Sequence, residues 1–322
     1  MSDFPILLSS AGRRVALLQL LRADAAALGF SPRLIATDLR PEFSAACAAA
    51  DLALAVPPAT HPEFAEAMLA LCRSHGVRLM VPTIDPELAP LAGIAARLRA
   101  AGTHANLSSP EAIAVARDKL LTARALGADA PRSALPDEIM ADPEGWILPL
   151  LAKPRAGSAS AGVRRIEAFE ELLGLPPGYM VQALLPGREF TVNLFVADGR
   201  TQSAVPHLRR EVRAGEVSKA ITLRHRALAA IADRLPKAVP GLAGALCFQA
   251  IEAPEGPRLI EINARFGGGF PLAHQAGAPF TRWLIEHAAG LPCSAHDRWQ
   301  EGTSMLRYDA AIFGRADPAA WT

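Results

Sequence analysis

AKPRAGSASAGV, residues 152–163, reads as a strand ending in a cation, a loop of glycine, serine and alanine, and a second strand. Small residues let backbone N–H groups approach phosphate oxygens, and a lysine at the strand end adds positive charge. The order excludes a P-loop, in which the lysine follows the glycines and a helix comes next. Taken alone, the stretch reads equally well as an ordinary flexible hairpin loop. Its meaning is set by what lies on either side.

Upstream, short apolar strands alternate with amphipathic helices. Strands are expected at PILLSS (5–10), RLIATD (33–38), DLALAV (51–56) and RLMVPT (78–83). A helix over 62–76 has Pro in its first turn and Gly past its end. This alternation implies a parallel sheet covered on both faces. One helix is expected over 108–127, and from Trp146 onward the strands come as hairpins. Asp198-Gly199 marks the tip of one of them. Further helices are expected over 225–239 and 271–290. The expected class is α/β plus α+β: a Rossmann-like domain over 1–107, then a two-subdomain region over 108–322 that divides near 181/182.

A second informative stretch is FQAIEAPEGPRLIEINARFGGG, residues 248–269. In a strand, side chains at i and i+2 share a face about 7 Å apart. Glu261 and Asn263 are therefore expected to point the same way, with Leu259 beside them. Facing Gln249 or Glu252 on the neighbouring strand, they offer hard oxygen ligands suited to magnesium, although a solvated polar face fits the same pattern. Arg265 enters a Gly-Gly-Gly turn, where a guanidinium can pair with phosphate or carboxylate and the backbone can be closely approached.

In this order and spacing, KPRAGSASAGV, VQALLPGREFTV and FQ…RLIEINARFGGG resemble the ATP-grasp superfamily over about residues 118–313. The likeness is to the branch holding the large subunit of carbamoyl-phosphate synthase and small stand-alone carboxylate–amine ligases, with the first 107 residues matching the usual preceding domain. The resemblance implies ATP and magnesium, with manganese admitted. It implies a ligase joining a small-molecule carboxylate to an amine, or to a thiol, through an acyl phosphate with release of ADP and phosphate. It implies Lys119 and Lys153 as phosphate-reaching lysines, and Gly157, Ser158, Ser160 and Gly162 as the flap over the phosphates. Gln182, Ala183 and Leu184 would form the adenine hinge, with Gln182 where many members carry glutamate, and Glu189 would bind ribose. Glu261, Asn263 and Gln249 correspond to metal ligands, with Glu252 an alternative to Gln249, and Arg265 to the arginine facing the transferred phosphate. Residues 207–226, dense in cations, are either a solvated loop or a lid bringing Arg213 and Lys219 towards phosphate or substrate. Ser10, Gly12, Arg13 and Asp85 are implied as substrate-pocket lining, although Asp38 and Asp85 could equally cap helices. Relatives of this kind admit a homodimer.

Composition narrows the alternatives. The 322 residues carry 33 Lys plus Arg against 32 Asp plus Glu, so no long-range field favours nucleic acid or an acidic membrane. Cys47, Cys72, Cys247 and Cys293 show no C-x-x-C spacing, which argues against a disulfide scaffold or zinc knuckle. No stretch of 18 apolar residues lacks charge, and the first apolar run is too short for a signal-peptide core, so a cytoplasmic protein is expected. Neither an H-x-x-x-H pair nor a G-x-S-x-G elbow occurs, which points to positioning and electrostatics rather than a covalent side-chain nucleophile. Two other readings stay open: an ATP-binding protein without turnover, and an NAD(P)-dependent oxidoreductase using the first domain. The second is weakened because Gly12 stands alone where the dinucleotide fingerprint needs three glycines.

Overall fold

A computed structural model describes residues 2–157, 162–213 and 215–315. The first five strands are β1 (Asp3–Ser9), β2 (Ser31–Asp38), β3 (Leu52–Ala55), β4 (Leu79–Pro82) and β5 (His104–Ala105). They form a parallel sheet in the order β3-β2-β1-β4-β5. Both faces of β1 are covered, which is why it reads as a continuous apolar run. Ile6 and Leu8 join a core with Leu17, Leu18 and Leu21 of the helix Val15–Ala27. Leu7 joins Phe64, Met68 and Cys72 of the helix Phe64–His75 on the other face. That helix ends at Gly76, whose φ of 59° is the left-handed cap that glycine adopts without a Cβ penalty.

The helix expected over 108–127 is broken. Asp118 is extended, separating Pro110–Arg117 from Lys119–Leu126, and its Oδ1 accepts from the N–H groups of Leu120 and Leu121. The break places Lys119 at the first position of a new helix. A similar correction applies to 271–290, where Gly277 (φ 98°) and Pro279 separate Phe270–Gln275 from Phe280–Ala289.

Strands β6 (Ser133–Ala134), β7 (Leu150–Pro154), β8 (Arg164–Ile166) and β9 (Tyr179–Ala183) form an antiparallel sheet ordered β6-β9-β7-β8. The larger antiparallel sheet holds β10 (Arg188–Ala197), β11 (Arg200–Arg213), β12 (Glu216–Thr222), β13 (Gly244–Ala253), β14 (Gly256–Asn263) and β15 (Ser304–Leu306), in the order β14-β13-β10-β11-β12-β15. Asp198 and Gly199, with φ of 51° and 67°, make the tight β10–β11 turn.

Alternation along β10 and β13 sends Phe190, Val192, Leu194, Leu246 and Phe248 into a core with the helices Pro110–Arg117 and Arg226–Ala238. The opposite face is divided. At one end Phe195 and Ala245 pack into the same core as β1. There Phe195, Phe270, Phe280 and Trp283 meet at ring-centroid distances of 5.2 to 5.8 Å. Such pairs add about 0.5–1.5 kcal/mol each beyond area burial. At the other end this face is polar, so the junction with the parallel sheet stands beside a cleft. Asn106 stitches the connection, its side chain exchanging two hydrogen bonds with the Ala245 backbone.

Candidate functional site

The polar face is a grid of paired residues. Gln249 lies opposite Glu261 and beside Thr191, while Cys247 lies opposite Asn263 and beside Asn193. Leu259 is not on this face. The register slips between Gln249 and Ala250, so Ala250 pairs with Leu259, which points into the helix-side core. The extra residue, Ile260, breaks the simple alternation. Glu252, the alternative to Gln249, sits farther along at Pro257, held by Arg188 and by His225 at 3.0 Å. The geometry therefore favours Gln249 as the partner of Glu261.

Two lysines reach the cleft from other elements. Lys153, at the end of β7, is buried. Burial, with Lys119 beside it, brings its ammonium down to about 8 against the pull of Glu261. Lys119 donates from Nζ to the Gly157 carbonyl at 2.7 Å, and its N–H donates to the Arg155 carbonyl. Arg155 in turn clamps the Asp118 carboxylate. The cap, the clamp and the lysine thus hold the start of the small-residue loop. Gly157 (φ 118°) and Gly162 (φ 76°) are left-handed, and a Cβ on Gly162 would stand 2.7 Å from the Tyr179 hydroxyl. Ser158 and Ser160 lie outside the described residues. A cavity of about 140 Å³ is lined by Asp85, Arg117, Lys119, Gly157, Glu261 and Asn263.

Arg265 spans the two halves of the molecule. Its Nη2 lies 2.7 Å from Asp85 Oδ2 and 2.8 Å from Asn263 Oδ1. Burial works against its charge, but Asp85, Cys247 and Glu261 outweigh it and raise its pKa, so it stays cationic. The loop bearing Asp85 is held by Glu87, which is fully buried. Its carboxylate accepts from the Thr83 and Ile84 N–H groups and from the Ser9 and Ser10 hydroxyls. Burial pushes the Glu87 pKa up.

The Gly-Gly-Gly turn is tight on all sides. A Cβ on Gly267 would meet Cys247 Sγ at 2.8 Å, one on Gly268 the Glu216 carboxylate at 2.8–3.0 Å, and one on Gly269 the His207 ring at 2.7 Å. His207 is buried, with Nδ1 3.3 Å from Asn193 Nδ2, and burial lowers its pKa to about 3, leaving it neutral. The Cys247 thiol is pushed up to about 11, mainly by burial, and is no nucleophile at neutral pH.

The remaining candidates divide. Glu189 shares the face of Thr191 and pairs with Arg209 at 2.8 Å; burial raises its pKa, Arg209 opposes this, and Glu261 adds to it. Gln182 is buried in β9 between Ser133 and Leu151. The Ala183 N–H donates to the Arg132 carbonyl, where the short strand β6 pairs. Leu184 follows β9 immediately. Lys219 is not gathered with Arg265; it is exposed on β12, with Nζ 2.6 Å from Glu211. Arg213 is exposed and 3.5 Å from Asp309. Gly12 (φ 48°) donates to Asp38 at 2.9 Å, and Arg13 is exposed. One oxygen of the carboxylate that a dinucleotide's ribose would require is thus taken up by the turn. Ser10 and Asp38 line a cavity of about 400 Å³ over the C-terminal ends of the parallel strands, where open α/β sheets place ligands. Pro86 lines this cavity and the smaller one, so they are neighbours.

Of the residues that organise the site, Asp118 carried a readable signal, since an Asp before a helical turn is a favoured N-cap. Glu87 carried a local signal in part, as the acid in the first helical turn that accepts from the Ile84 N–H, whereas Arg155 carried none, because its partner Asp118 is distant in sequence. The donor set suits magnesium as a partial shell. Glu261, Asn263 and Gln249 offer one carboxylate and two amide oxygens, leaving positions for phosphate oxygens and water. Among the described residues, no group of three His, Cys, Asp or Glu side chains could hold a metal.

Residues 6–105 match the family described as PylC-like, N-terminal domain, and residues 176–310 match ATP-grasp in the biosynthetic pathway with Ter operon. The chain therefore carries an ATP-grasp domain behind a PylC-like N-terminal domain. No curated protein matches it in sequence. Among solved structures it is similar to the biotin carboxylase domain dimer of Hydrogenobacter thermophilus 2-oxoglutarate carboxylase, in complex with MgADP, ADP and bicarbonate. Identity is 17%, the TM-score is 0.72, and 94% of this chain and 73% of that one are covered. It is also similar to N5-carboxyaminoimidazole ribonucleotide synthetase from Thermotoga maritima (16%, TM-score 0.64, covering 92% and 78%) and to an L-amino acid ligase from Bacillus licheniformis (16%, 0.64, 92% and 76%). These identities establish the shared fold. Among the described residues no helix is long and apolar enough to cross a membrane.

Proposed function

We propose that the protein is an ATP-dependent ligase that activates a small-molecule carboxylate as an acyl phosphate and passes it to an amine, releasing ADP and phosphate. The observation that carries the reading is one cavity lined by Lys119, Glu261, Asn263 and Asp85, with the buried Lys153 close enough to feel Lys119 and Glu261, and Arg265 bonded to Asp85 and Asn263. The named activities of the similar structures, two synthetases or ligases and a carboxylase domain holding MgADP, support it. We take residues 1–107 as one domain and 108–322 as the ATP-grasp part, dividing near 181/182.

In this reading Lys119 and Lys153 hold the phosphates, the loop from Gly157 to Gly162 covers them, and Glu189 meets the ribose. Glu261, Asn263 and Gln249 would hold magnesium, which neutralises charge developing on the phosphates. Arg265 orients the transferred phosphoryl group against the attacking carboxylate oxygen and then stabilises the oxyanion formed as the amine adds. The body of one substrate occupies the neighbouring cavity at Ser10 and Asp38. The buried Cys247 stays a thiol and not a thiolate at neutral pH, in keeping with chemistry by positioning.

The test is release of ADP by the full chain against a matrix of carboxylates and amines. Release that needs both partners and is lost in Glu261→Ala supports the reading. Mg·ATP binding without ADP release across the matrix favours an ATP-binding protein without turnover.

A further inference from the structure

Glu216 is the first residue of β12, paired with Arg213 at the turn end of the β11–β12 hairpin. Its two carboxylate oxygens are divided between arginines from opposite ends of the chain. Oε1 lies 3.1 Å from Arg14 and Oε2 lies 2.7 Å from Arg307. Arg307 also donates to the Gly268 carbonyl. The carboxylate rests on bare backbone, since a Cβ on Gly268 would fall 2.8–3.0 Å from its carbon and oxygens. The surroundings are rich in cations. Burial lowers the Arg14 pKa, Glu216 opposes this, and Arg265 and Arg307 add to the lowering. Burial likewise works against the charge of Glu216, but Arg14, Arg307 and Arg13 outweigh it and hold its pKa down.

The cradle continues the line of charges described above. Lys153 senses Lys119 and Glu261; Arg265 senses Glu261; Arg14 senses Arg265. An anion in the cradle lies against Gly268, three residues along the chain from Arg265. Resting on the ligase reading, we propose that Arg14, Arg307 and the Gly268 backbone form the subsite for a substrate carboxylate, and that Glu216 fills it in the free protein. The division of two oxygens between two guanidinium groups suits a planar carboxylate. Glu216 is then a tethered competitor that the substrate displaces.

The test is calorimetric titration of the full chain with succinate and, separately, with inorganic phosphate. A tethered competitor at millimolar effective concentration masks its site, so Glu216→Gln should bind succinate about tenfold more tightly than the wild type. Adding Arg14→Gln should remove the gain, and phosphate affinity should change less than succinate affinity. Glu216→Asp, too short to reach both arginines, gives a smaller gain and serves if the Gln variant does not fold. Equal or weaker succinate binding in Glu216→Gln, no succinate binding by either form, or a gain for phosphate instead of succinate overturns the proposal. Mg·ATP titrated into the same proteins separates the two readings. Failure of the wild type to bind it counts against the ligase and not against the carboxylate subsite.

Discussion

Asp85 and Arg265 are 180 residues apart in the chain and 2.7 Å apart in the fold, joining the parallel-sheet half to the end of the large antiparallel sheet. The pair is largely buried, with side-chain exposures of 28% and 14%, so removing either partner strands the other's charge. Truncation of such a pair costs up to about 3 kcal/mol in stability. Asp85→Asn keeps the shape but loses the charge that fixes the guanidinium. We expect kcat for ADP release to fall about a hundredfold, the scale of a 1 Å misplacement, with little change in KM for Mg·ATP. Steady-state kinetics checks this, and an unchanged kcat would show that Arg265 needs no orientation by the first domain.

Lys153 yields a pH dependence. Its folded pKa of about 8 is below the unfolded lysine value, so the folded protein binds fewer protons between about pH 8 and 10. Stability of the free protein should therefore rise with pH across that window by this group's contribution, which Lys153→Met should remove. Mg·ATP binding should weaken as pH passes 8 and be accompanied by proton uptake. Calorimetry in buffers of different ionisation enthalpy reads the uptake directly, and none near pH 8 would contradict the placement of Lys153 at the phosphates.

Glu261 is the one carboxylate in the Gln249–Glu261–Asn263 set. Glu261→Gln should raise the magnesium concentration needed for half-maximal ATP binding by at least about tenfold, since a neutral amide replaces the anionic ligand. Titration of magnesium at fixed ATP checks it. An unshifted midpoint would move the metal elsewhere.

Close approaches of backbone supply the stability prediction. At Gly267 a Cβ would press on the buried Cys247 Sγ, and at Gly187 it would overlap the Glu252 carbonyl of the neighbouring strand. Gly267→Ala should cost about 1–3 kcal/mol, the scale of core overpacking, and Gly187→Ala more, because backbone cannot yield. Thermal unfolding should rank Gly187→Ala below Gly267→Ala, and both below the wild type. Gly29→Ala, where nothing lies within 4 Å, controls for the strain of its φ of 84° alone.

Much of this was legible because it is local. The strand that carries Lys153, the i, i+2 pair Glu261 and Asn263, and the Asp198-Gly199 turn each follow from spacing and residue type. The break at Asp118 was masked by good helix formers on both sides, although the aspartate before Lys119 was itself the capping signal. Leu259 was misplaced because a bulge at Ile260 cancels the period-two rule, which the sequence marks with nothing. Lys219 looked available in a cationic stretch, but its charge is met by Glu211 across the hairpin. Asp85–Arg265, the bonds of Ser9 and Ser10 to Glu87, and Arg14–Glu216–Arg307 are tertiary pairings, and no periodicity along one chain encodes them.

The central claim is that two lysines from separate elements and a carboxylate on the large sheet enclose the phosphates of a nucleotide. Isothermal titration of the full chain with ATP, with and without magnesium, tests it most directly when repeated on Lys119→Met and Lys153→Met. The account predicts magnesium-dependent binding by the wild type that weakens at least tenfold in each variant while both stay folded. Binding of equal strength in the wild type and both variants, or none in the wild type, would contradict it.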